Sequence, residues 1–399
     1  MIKKKLTAIF IVSLLLLFGC KIDGKVSYNM QGLEGVNIEL KPEVFDALSV
    51  LTDKNGVFAF NDLTNGNYVI TPSLEGYIFE PSSQNITINN FPFSNLTFIA
   101  KKQYDDSIKL IFTGDIMLER NVKKMIDAQW TSSDLSQRYS FPFLKIADYL
   151  KSGDLTFGNL ESIISDKGEK KVPWPFCCSF RAETDAMYGL LFAGFDVVST
   201  ANNHSADYGK DAFIDSLYRL DQAGLTYCGG GTTKEKAHSP AIFNVKNTKI
   251  AYLAYTNVGN TWWDKEDIKS NVAWLDAESL KTDIYNAIPQ ADIIIVSMHF
   301  GVEYQTEPNN SQKELAQLAI DSGASLVIGH HPHVTQPVEA YKNGYIAYSL
   351  GNFVFDQSNE DTHRGLVIEA EIVNNQIVNL KAVDILINEF YQPEIVSAY

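Results

Sequence analysis

Residues 108–118 read IKLIFTGDIML, in which a mostly apolar run at 108–112 is followed by Thr113-Gly114-Asp115. Such a run predicts a buried β-strand with polar side chains at its carboxyl end. Similar apolar runs follow at 155–157, 196–200, 250–254, 293–297, 326–328, 345–349 and 366–370. Segments of helical period lie between them, at 143–150, 185–193, 210–223, 280–288 and 312–322. This alternation predicts an α/β domain over residues 108–390.

Polar motifs follow several of these predicted strands directly. They are Thr113-Gly114-Asp115, Gly158-Asn159-Leu160-Glu161, Ala201-Asn202-Asn203-His204, His299-Phe300-Gly301-Val302-Glu303 and Gly329-His330-His331-Pro332-His333. Open α/β sheets bind their ligands at the carboxyl ends of the strands. Five of the seven histidines of the chain stand at these ends, and we therefore expect the functional site there.

Nitrogen and oxygen side chains that converge from separate loops suit divalent metal ions. The candidate metal ligands are Asp115, Asn159, Glu161, Asn203, His299, His331 and His333. Because Pro332 stiffens the backbone, alternation is expected to point the rings of His331 and His333 to one side. The sequence does not settle which of His330, His331 and His333 is not a ligand.

Each of these positions also has a structural interpretation. Asp115 could cap a helix, Asn159 could cap a turn while Glu161 faces solvent, and Asn203 could hold an Asx turn beside a buried His204. His299 could be a satisfied core histidine, and the two outer histidines of the His-x-His motif could lie on the surface. The spacing alone does not choose between these interpretations.

Six motifs in series resemble a known family. They are FTGDIML (112–118), GNLES (158–162), ANNHSADYG (201–209), HFGVEY (299–304), GHHPHVTQPVE (329–339) and SLGNFVFD (349–356). Their order is similar to that of the calcineurin-like metallophosphoesterases and, more closely, to the CapA family of poly-γ-glutamate capsule biosynthesis. The resemblance covers residues 108 to about 385.

The resemblance implies a four-layer αββα metallophosphatase-like domain with one or two ions of Mn, Mg, Fe or Zn. It implies catalytic roles for Asn203 and His204, which would steady developing charge or donate a proton. Contacts with substrate are expected from His330, Glu303 and Asn352. The first motif departs from the phosphoesterase pattern, since Met117 stands where Asp-x-His has its histidine. Asn159 also carries no charge at the bridging position, so the resemblance implies fewer metal contacts here than in the phosphoesterases.

The N-terminus has the layout of a bacterial lipoprotein signal peptide over residues 1–20. Lys3-Lys4-Lys5 precede an apolar run at 6–18 and then Gly19-Cys20, and the run is short for a bilayer span of about 20 residues. We expect cleavage before Cys20 and a lipid on its thiol. An uncleaved anchor or an ordinary signal peptide would equally place the rest of the chain outside the cytosol, in the cell envelope.

Residues 23–102 alternate apolar and polar positions in short runs separated by Gly, Asn and Asp. This pattern predicts a small all-β domain. The stretch TDKNGVFAF at 52–60, with Gly66-Asn67-Tyr68 after it, resembles the carboxypeptidase-regulatory-like β-sandwich modules. In that family such modules are spacers or adhesion units, so no catalysis is expected here. Residues 103–107 then read as a linker.

The net charge of −15 argues against nucleic acid as a partner. A polyanionic substrate would need local cations. The leading hypothesis is a membrane-anchored lipoprotein that takes part in synthesis or export of poly-γ-glutamate or a related anionic polymer, together with membrane subunits of a capsule synthase. The alternatives are a secreted metal-dependent phosphoesterase, acting on a nucleotide or a cell-wall phosphate ester, and a non-catalytic scaffold that binds polymer. A disulfide from Cys177 or Cys178 to Cys228 competes with buried thiols.

Overall fold

The computed structural model describes residues 20–43, 46–102, 106–131, 134–171, 178–259 and 268–396. The chain divides into two compact units, with the boundary between residues 105 and 106. The signal peptide predicted before Cys20, most of the predicted linker and Cys177 lie outside the described residues. Within the described ranges, no helix combines the length and apolar character needed to cross a bilayer.

The first unit is a sandwich of two sheets. Its strands are β1 (Cys20–Tyr28), β2 (Gln31–Gly32), β3 (Asn37–Pro42), β4 (Leu48–Leu51), β5 (Val57–Leu63), β6 (Gly66–Ser73), β7 (Tyr77–Glu80), β8 (Gln84–Ile88) and β9 (Phe93–Lys102). One sheet has the order β2-β1-β9-β7 with β5 also paired to β1, and the other has the order β4-β3-β6-β8. Alternate residues such as Ile38, Ile70 and Phe98 fill the core between the sheets. The all-β domain predicted from the alternation is confirmed, and it is a sandwich, as the resemblance implied.

The second unit alternates strands and helices. The strands are β10 (Ile108–Ile116), β11 (Leu155–Leu160), β12 (Ile163–Ile164), β13 (Arg181–Ala182), β14 (Val197–Ser199), β15 (Thr226–Cys228), β16 (Ala241–Val245), β17 (Thr248–Thr256), β18 (Ile293–His299), β19 (Leu326–His330), β20 (Val338–Tyr341), β21 (Gly344–Ala347), β22 (Asn352–Val354), β23 (Arg364–Val373), β24 (Gln376–Ile387) and β25 (Pro393–Ile395). The helices are α1 (Arg120–Gln129), α2 (Ala147–Leu150), α3 (Ala186–Ala193), α4 (Lys210–Ala223), α5 (Lys234–Ala237), α6 (Ala277–Ala287) and α7 (Asn310–Ser322), with 3₁₀ helices at Leu135–Phe143 and Glu360–His363.

These elements form the four-layer αββα arrangement. An eight-stranded sheet, β15-β14-β11-β10-β23-β24-β25 with β22 on β10, packs against a six-stranded sheet, β16-β17-β18-β19-β21-β20. Between them Tyr252 stacks on Phe157 with ring centroids 5.7 Å apart. Helices α1 and α3 cover the outer face of the larger sheet, and α6 and α7 cover that of the smaller one. The predicted metallophosphatase-like fold is confirmed.

The parallel strands of the two sheets position the functional residues. In the larger sheet β10, β11 and β14 run parallel, and in the smaller one β17, β18 and β19 do. Every strand and helix predicted for this unit overlaps an observed element. The elements that were not predicted are α1, α5, β12, β13, β15, β16, β20, β22, β24 and β25. Helix α1 has few apolar residues, and only Val122 and Ile126 are buried.

The structure describes two cysteines of the second unit, Cys178 and Cys228, and they are not joined to each other. A bridge between these two is therefore not formed. Cys228 is buried on β15, in agreement with the thiol interpretation, and burial raises the pKa of its thiol.

Candidate metal centre

Two buried carboxylates lie at the carboxyl ends of the adjacent strands β10 and β11. Asp115 and Glu161 are both fully buried. One Asp115 oxygen accepts a hydrogen bond from Asn159 Nδ2 at 2.8 Å, and the other lies 3.3 Å from His333 Nδ1. Ligand atoms of Asp115, Glu161 and His333 all fall within 4.8 Å of one another. These three side chains, distant in sequence, therefore meet as the metal-site hypothesis requires.

Among the described residues, Glu161 has no hydrogen-bond partner for either carboxylate oxygen. Burial raises its pKa well above the usual value, and the charge of Asp115 adds to that effect. For Asp115 burial acts in the same direction, but the hydrogen bond from His333 and the histidine charges outweigh it and lower the pKa. A buried carboxylate without a partner is costly unless a cation neutralises it. The oxygen and nitrogen atoms gathered here fit a divalent metal ion.

Three histidine rings close the other side of the cluster. The ring of His331 lies 4.8 Å from that of His299 and 6.0 Å from that of His333, centroid to centroid. The Nδ1 atom of His331 is buried and has no hydrogen-bond partner in the part of the chain that the structure describes. Burial lowers the pKa of His331 to about 3 and that of His299 well below its usual value. Both rings are therefore neutral at pH 7, which is the form that binds metal.

His333 and His331 also form a second ligand group with Glu303, whose side chain is exposed. Burial acts to lower the pKa of His333, but the charges of Glu161 and Asp115 raise it to about 9. The two groups share His333. The described residues therefore offer one or two adjacent positions for an ion.

The backbone turn after β19 explains why the rings converge. Strand β19 ends at His330, and His331 and His333 then adopt left-handed conformations with φ of 97° and 58°. The rings of His331 and His333 come together through this turn and not through the strand alternation that was expected, because the segment is not extended. Tyr304 N donates to Pro332 O at 2.8 Å and ties this turn to the loop that carries Glu303.

Asn203 and His204 lie in the turn after β14. Asn203 Oδ1 lies 2.9 Å from His299 Nε2, and Glu161 Oε1 lies 3.2 Å from the same nitrogen. Ligands of one ion also stand about 3 Å apart, since metal–ligand distances are about 2.1 Å. The Asx turn considered for Asn203 belongs instead to Asn202, whose Oδ1 accepts a hydrogen bond from His204 N at 3.1 Å.

His204 forms a dyad with Asp207, a residue that was not selected from the sequence. The Nδ1 atom of His204 lies 2.7 Å from Asp207 Oδ2, and Phe180 N donates to the same oxygen at 2.8 Å. The ring of Phe180 packs on His204 at 3.9 Å. Burial raises the pKa of Asp207. The spacing of three residues within ANNHSADYG was the available signal for this pair.

His330, Asn352 and Asn159 hold other residues in place. His330 lies fully buried, with Nε2 3.1 Å from Thr113 O and Nδ1 3.3 Å from Ser297 Oγ. Asn352 accepts a hydrogen bond from His333 Nδ1 at 2.9 Å and donates to Thr362 O at 3.1 Å. The structure favours positioning roles over the substrate contacts predicted for His330 and Asn352, because their polar atoms are already engaged. Asn159 Oδ1 accepts a hydrogen bond from Asn202 Nδ2 at 3.3 Å, and its Nδ2 donates to Asp115. Asn159 therefore holds Asp115 in position.

The first unit matches a family model described as BOS complex subunit NOMO1-like, second beta sandwich domain, over residues 17–95. That description agrees with a sandwich and differs from the carboxypeptidase-regulatory-like family that the sequence resembles. In structure, the chain is similar to the NAD nucleotidase of Haemophilus influenzae, with a TM-score of 0.40, 12% identity, and coverage of 73% of this chain and 60% of that one.

The second unit has much stronger sequence relatives. The capsule biosynthesis protein CapA of Bacillus anthracis is 31% identical over 307 residues, which are 75% of this chain and 72% of that protein. The PGA biosynthesis protein CapA of Bacillus subtilis is 31% identical over 291 residues, 72% of this chain and 74% of that protein. A family model described as bacterial capsule synthesis protein PGA_cap matches residues 109–357. The match spans the cluster from Asp115 to Asn352, and the chain therefore belongs to the PGA_cap family of bacterial capsule synthesis proteins.

Proposed function

We propose that this protein is held to an envelope membrane by a lipid on Cys20 and takes part in synthesis or export of poly-γ-glutamate or a related anionic polymer, through a divalent-metal site. The observation that carries the metal site is Glu161, a fully buried carboxylate beside Asp115 and His333 that has no hydrogen-bond partner among the residues the structure describes. The polymer follows from the family, since the relatives are named for capsule and PGA biosynthesis.

The ligands of the metal would be Asp115, Glu161, Asn203, His299, His331 and His333, with Glu303 at the exposed edge. A bound ion of Mn, Mg, Fe or Zn would supply positive charge that polarises a phosphoryl or carboxyl oxygen. The protein's own dyad provides proton transfer. Because Asp207 engages Nδ1 of His204, the proton is exchanged at Nε2.

Elemental analysis of the purified full-length chain tests the ligand assignment. The double variant His331→Ala, His333→Ala is expected to lose bound metal. The matched control is His238→Ala, since His238 lies 2.7 Å from Asp283 of α6 and belongs to neither ligand group. Equal metal content in the double variant and the wild type would refute the assignment.

A second candidate, the phosphoesterase, is favoured by the His204–Asp207 dyad beside the ligand cluster. The discriminating assay offers the metal-loaded protein an aryl phosphate, a phosphodiester and γ-linked glutamate oligomers. Release of phosphate supports the phosphoesterase, and cleavage of the oligomer supports direct action on the polymer. Oligomer binding without any turnover supports the non-catalytic scaffold.

The lipid anchor has its own test. Cys20→Ser removes the thiol that would carry the lipid, so the variant is expected to leave the membrane fraction of the producing cells. Cys178→Ser, which changes a thiol in the second unit, serves as the control. If Cys20→Ser stays with the membrane as fully as the control does, the anchor lies elsewhere.

A further inference from the structure

The first unit begins at Cys20 without a spacer. Cys20 is the first residue of β1, where it pairs with Leu63 of β5, and its side chain packs partly against the core of the sandwich. A lipid on this thiol would therefore attach the folded unit directly and not through a flexible segment. The end of the sandwich that contains Cys20 would then be the end that faces the lipid bilayer.

The loop between β8 and β9 lies at this same end. Strand β9 runs parallel to β1, and Phe93 at its start pairs with Ile22. Two residues of rise, about 3.3 Å each, and one strand spacing of about 4.8 Å put the Cα atoms of Phe93 and Cys20 about 8 Å apart. Asn65, in the turn between β5 and β6, and Asn90 exchange two hydrogen bonds of 2.7 Å. The loop is therefore held in a fixed position beside the proposed anchor.

This loop exposes two aromatic side chains to solvent. Phe91 is 77% exposed and Phe93 is 41% exposed, with Pro92 between them. Exposed aromatic surface costs hydrophobic free energy that is regained when the rings enter an apolar phase. Phenylalanine on a surface that faces a membrane enters the boundary between lipid headgroups and acyl chains. A lipid anchor at Cys20 would bring that boundary within reach of both rings.

Charge offers no comparable attraction to a membrane. The chain carries a net charge of −15, which opposes binding to anionic lipids. Lys21, the residue after the proposed anchor, already pairs with Asp23 at 3.1 Å, and Ser94 donates to the same carboxylate oxygen at 3.1 Å. Contact between this end of the unit and a bilayer therefore depends on the two aromatic rings.

We propose that Phe91 and Phe93 form a membrane-contact surface that inserts into the headgroup boundary of the bilayer beside the Cys20 anchor. The inference rests on the lipid anchor of the proposed function and goes beyond it. An anchor alone does not fix which face of a protein meets the membrane. With the lipid and the two rings as separate points of attachment, the first unit is held with this end against the bilayer.

Site-specific photocrosslinking of the lipidated protein, produced from the full-length chain, tests the proposal. Benzoylphenylalanine, a photoreactive analogue of phenylalanine, replaces Phe91 or Phe93 in turn. The protein is reconstituted in vesicles of phosphatidylcholine, alone or mixed with phosphatidylglycerol in equal parts. Because the contact is apolar, lipid adducts are expected at both positions in both kinds of vesicle. Their yield, measured by mass spectrometry, should be several-fold above that of control positions.

The matched control positions are Met30 and Leu51, which are apolar and exposed, by 98% and 67%. Both lie at the opposite end of the sandwich. Met30 stands in the turn after β1, and Leu51 pairs with Asn37 at the start of β3. The same photoreactive residue at these two positions is expected to give few lipid adducts.

Transfer between vesicles gives a second measurement. The double variant Phe91→Ser, Phe93→Ser is expected to leave donor vesicles for acceptor vesicles about tenfold faster than the wild type, corresponding to about 1.4 kcal/mol. The double variant Met30→Ser, Leu51→Ser is expected to transfer at the rate of the wild type. The lipid on Cys20 is measured by mass spectrometry in every variant.

Lipid adducts at positions 91 and 93 above those of the controls, with faster transfer of the first double variant alone, support the proposal. Equal adducts at all four positions, adducts only to a second copy of the chain, or adducts that require phosphatidylglycerol overturn it and leave the anchor standing. A protein that carries no lipid on Cys20 in the producing cells overturns the proposed anchor itself.

Discussion

At the residue scale, Glu161 connects metal binding to stability. Its carboxylate is buried and accepts no hydrogen bond from the described residues, and burial raises its pKa. From the unfolded pKa of about 4.3 up to the raised folded pKa, the native state keeps a proton that the unfolded state has lost. The metal-free protein therefore loses stability as pH rises through that window. Glu161→Gln removes the loss.

We expect metal-free Glu161→Gln to be more stable than the metal-free wild type at pH 8, by about 1–3 kcal/mol, and equally stable at pH 4. Thermal unfolding after chelation, at both pH values, measures the difference. The control is Glu303→Gln, because that side chain is exposed. The metal-loaded comparison should reverse, since Gln brings no charge to the ion. A stability difference independent of pH would contradict this explanation.

Also at the residue scale, Asp207→Asn tests the dyad. The carboxylate of Asp207 lies 2.7 Å from His204 Nδ1 and stabilises a protonated His204 by its charge. The amide of asparagine has nearly the same shape but carries no charge, so it cannot do this. On any substrate that the protein turns over, we expect kcat to fall by about 100-fold while metal content stays unchanged. Turnover equal to that of the wild type would remove His204 from proton transfer.

At the element scale, β10 and the segment before β22 approach each other very closely at Gly114. A Cβ built there would lie 2.0 Å from Gly351 O, and Asp115 N donates to that same oxygen at 3.0 Å. Gly114→Ala is therefore expected to push β10 away and displace Asp115. We expect a loss of about 3 kcal/mol in stability together with reduced metal content.

Gly224→Ala at the end of α4 provides the matched comparison. Gly224 has φ of 77°, and a Cβ added there would have open space within 4 Å, so the substitution loses only the conformational preference, about 1–2 kcal/mol. Its metal content should be that of the wild type. Denaturant unfolding and elemental analysis measure both effects, and equal metal content in the two variants would show that Asp115 tolerates the displacement.

At the scale of the whole molecule, the two units have separate cores. Ile38 is fully buried among residues of the first unit, whereas Ile295 belongs to the core between the two sheets of the second. Ile38→Ala is expected to cost about 2–5 kcal/mol in the first unit alone. Calorimetry should show one unfolding transition at a lower temperature, and elemental analysis should show unchanged metal content. Ile295→Ala should lower the other transition, and a joint shift of both would show that the units unfold together.

Much of the fold follows from local pattern. Successive side chains of a strand point to opposite faces of the sheet. The apolar runs at 108–112 and 293–297 therefore indicate strands buried on both faces, and the alternation around Ile38 indicates a strand buried on one face. The boundaries of α4 were predicted from the helical period of its apolar residues. In contrast, β24 was not predicted, since many of its side chains are exposed and its pairing with β23, not its own apolar content, forms it.

The sequence by itself determined the alternation of the main strands and helices, the all-β domain that precedes them and the residue types that could bind a metal, because these depend on composition and spacing along the chain. Only the tertiary structure decided which side chains meet. His330 bonds to Thr113 O, 217 positions away, while its neighbours His331 and His333 turn into the cluster. Asp356 holds Arg120 across 236 positions. Contacts over such separations depend on how the sheets pack, which no local pattern records.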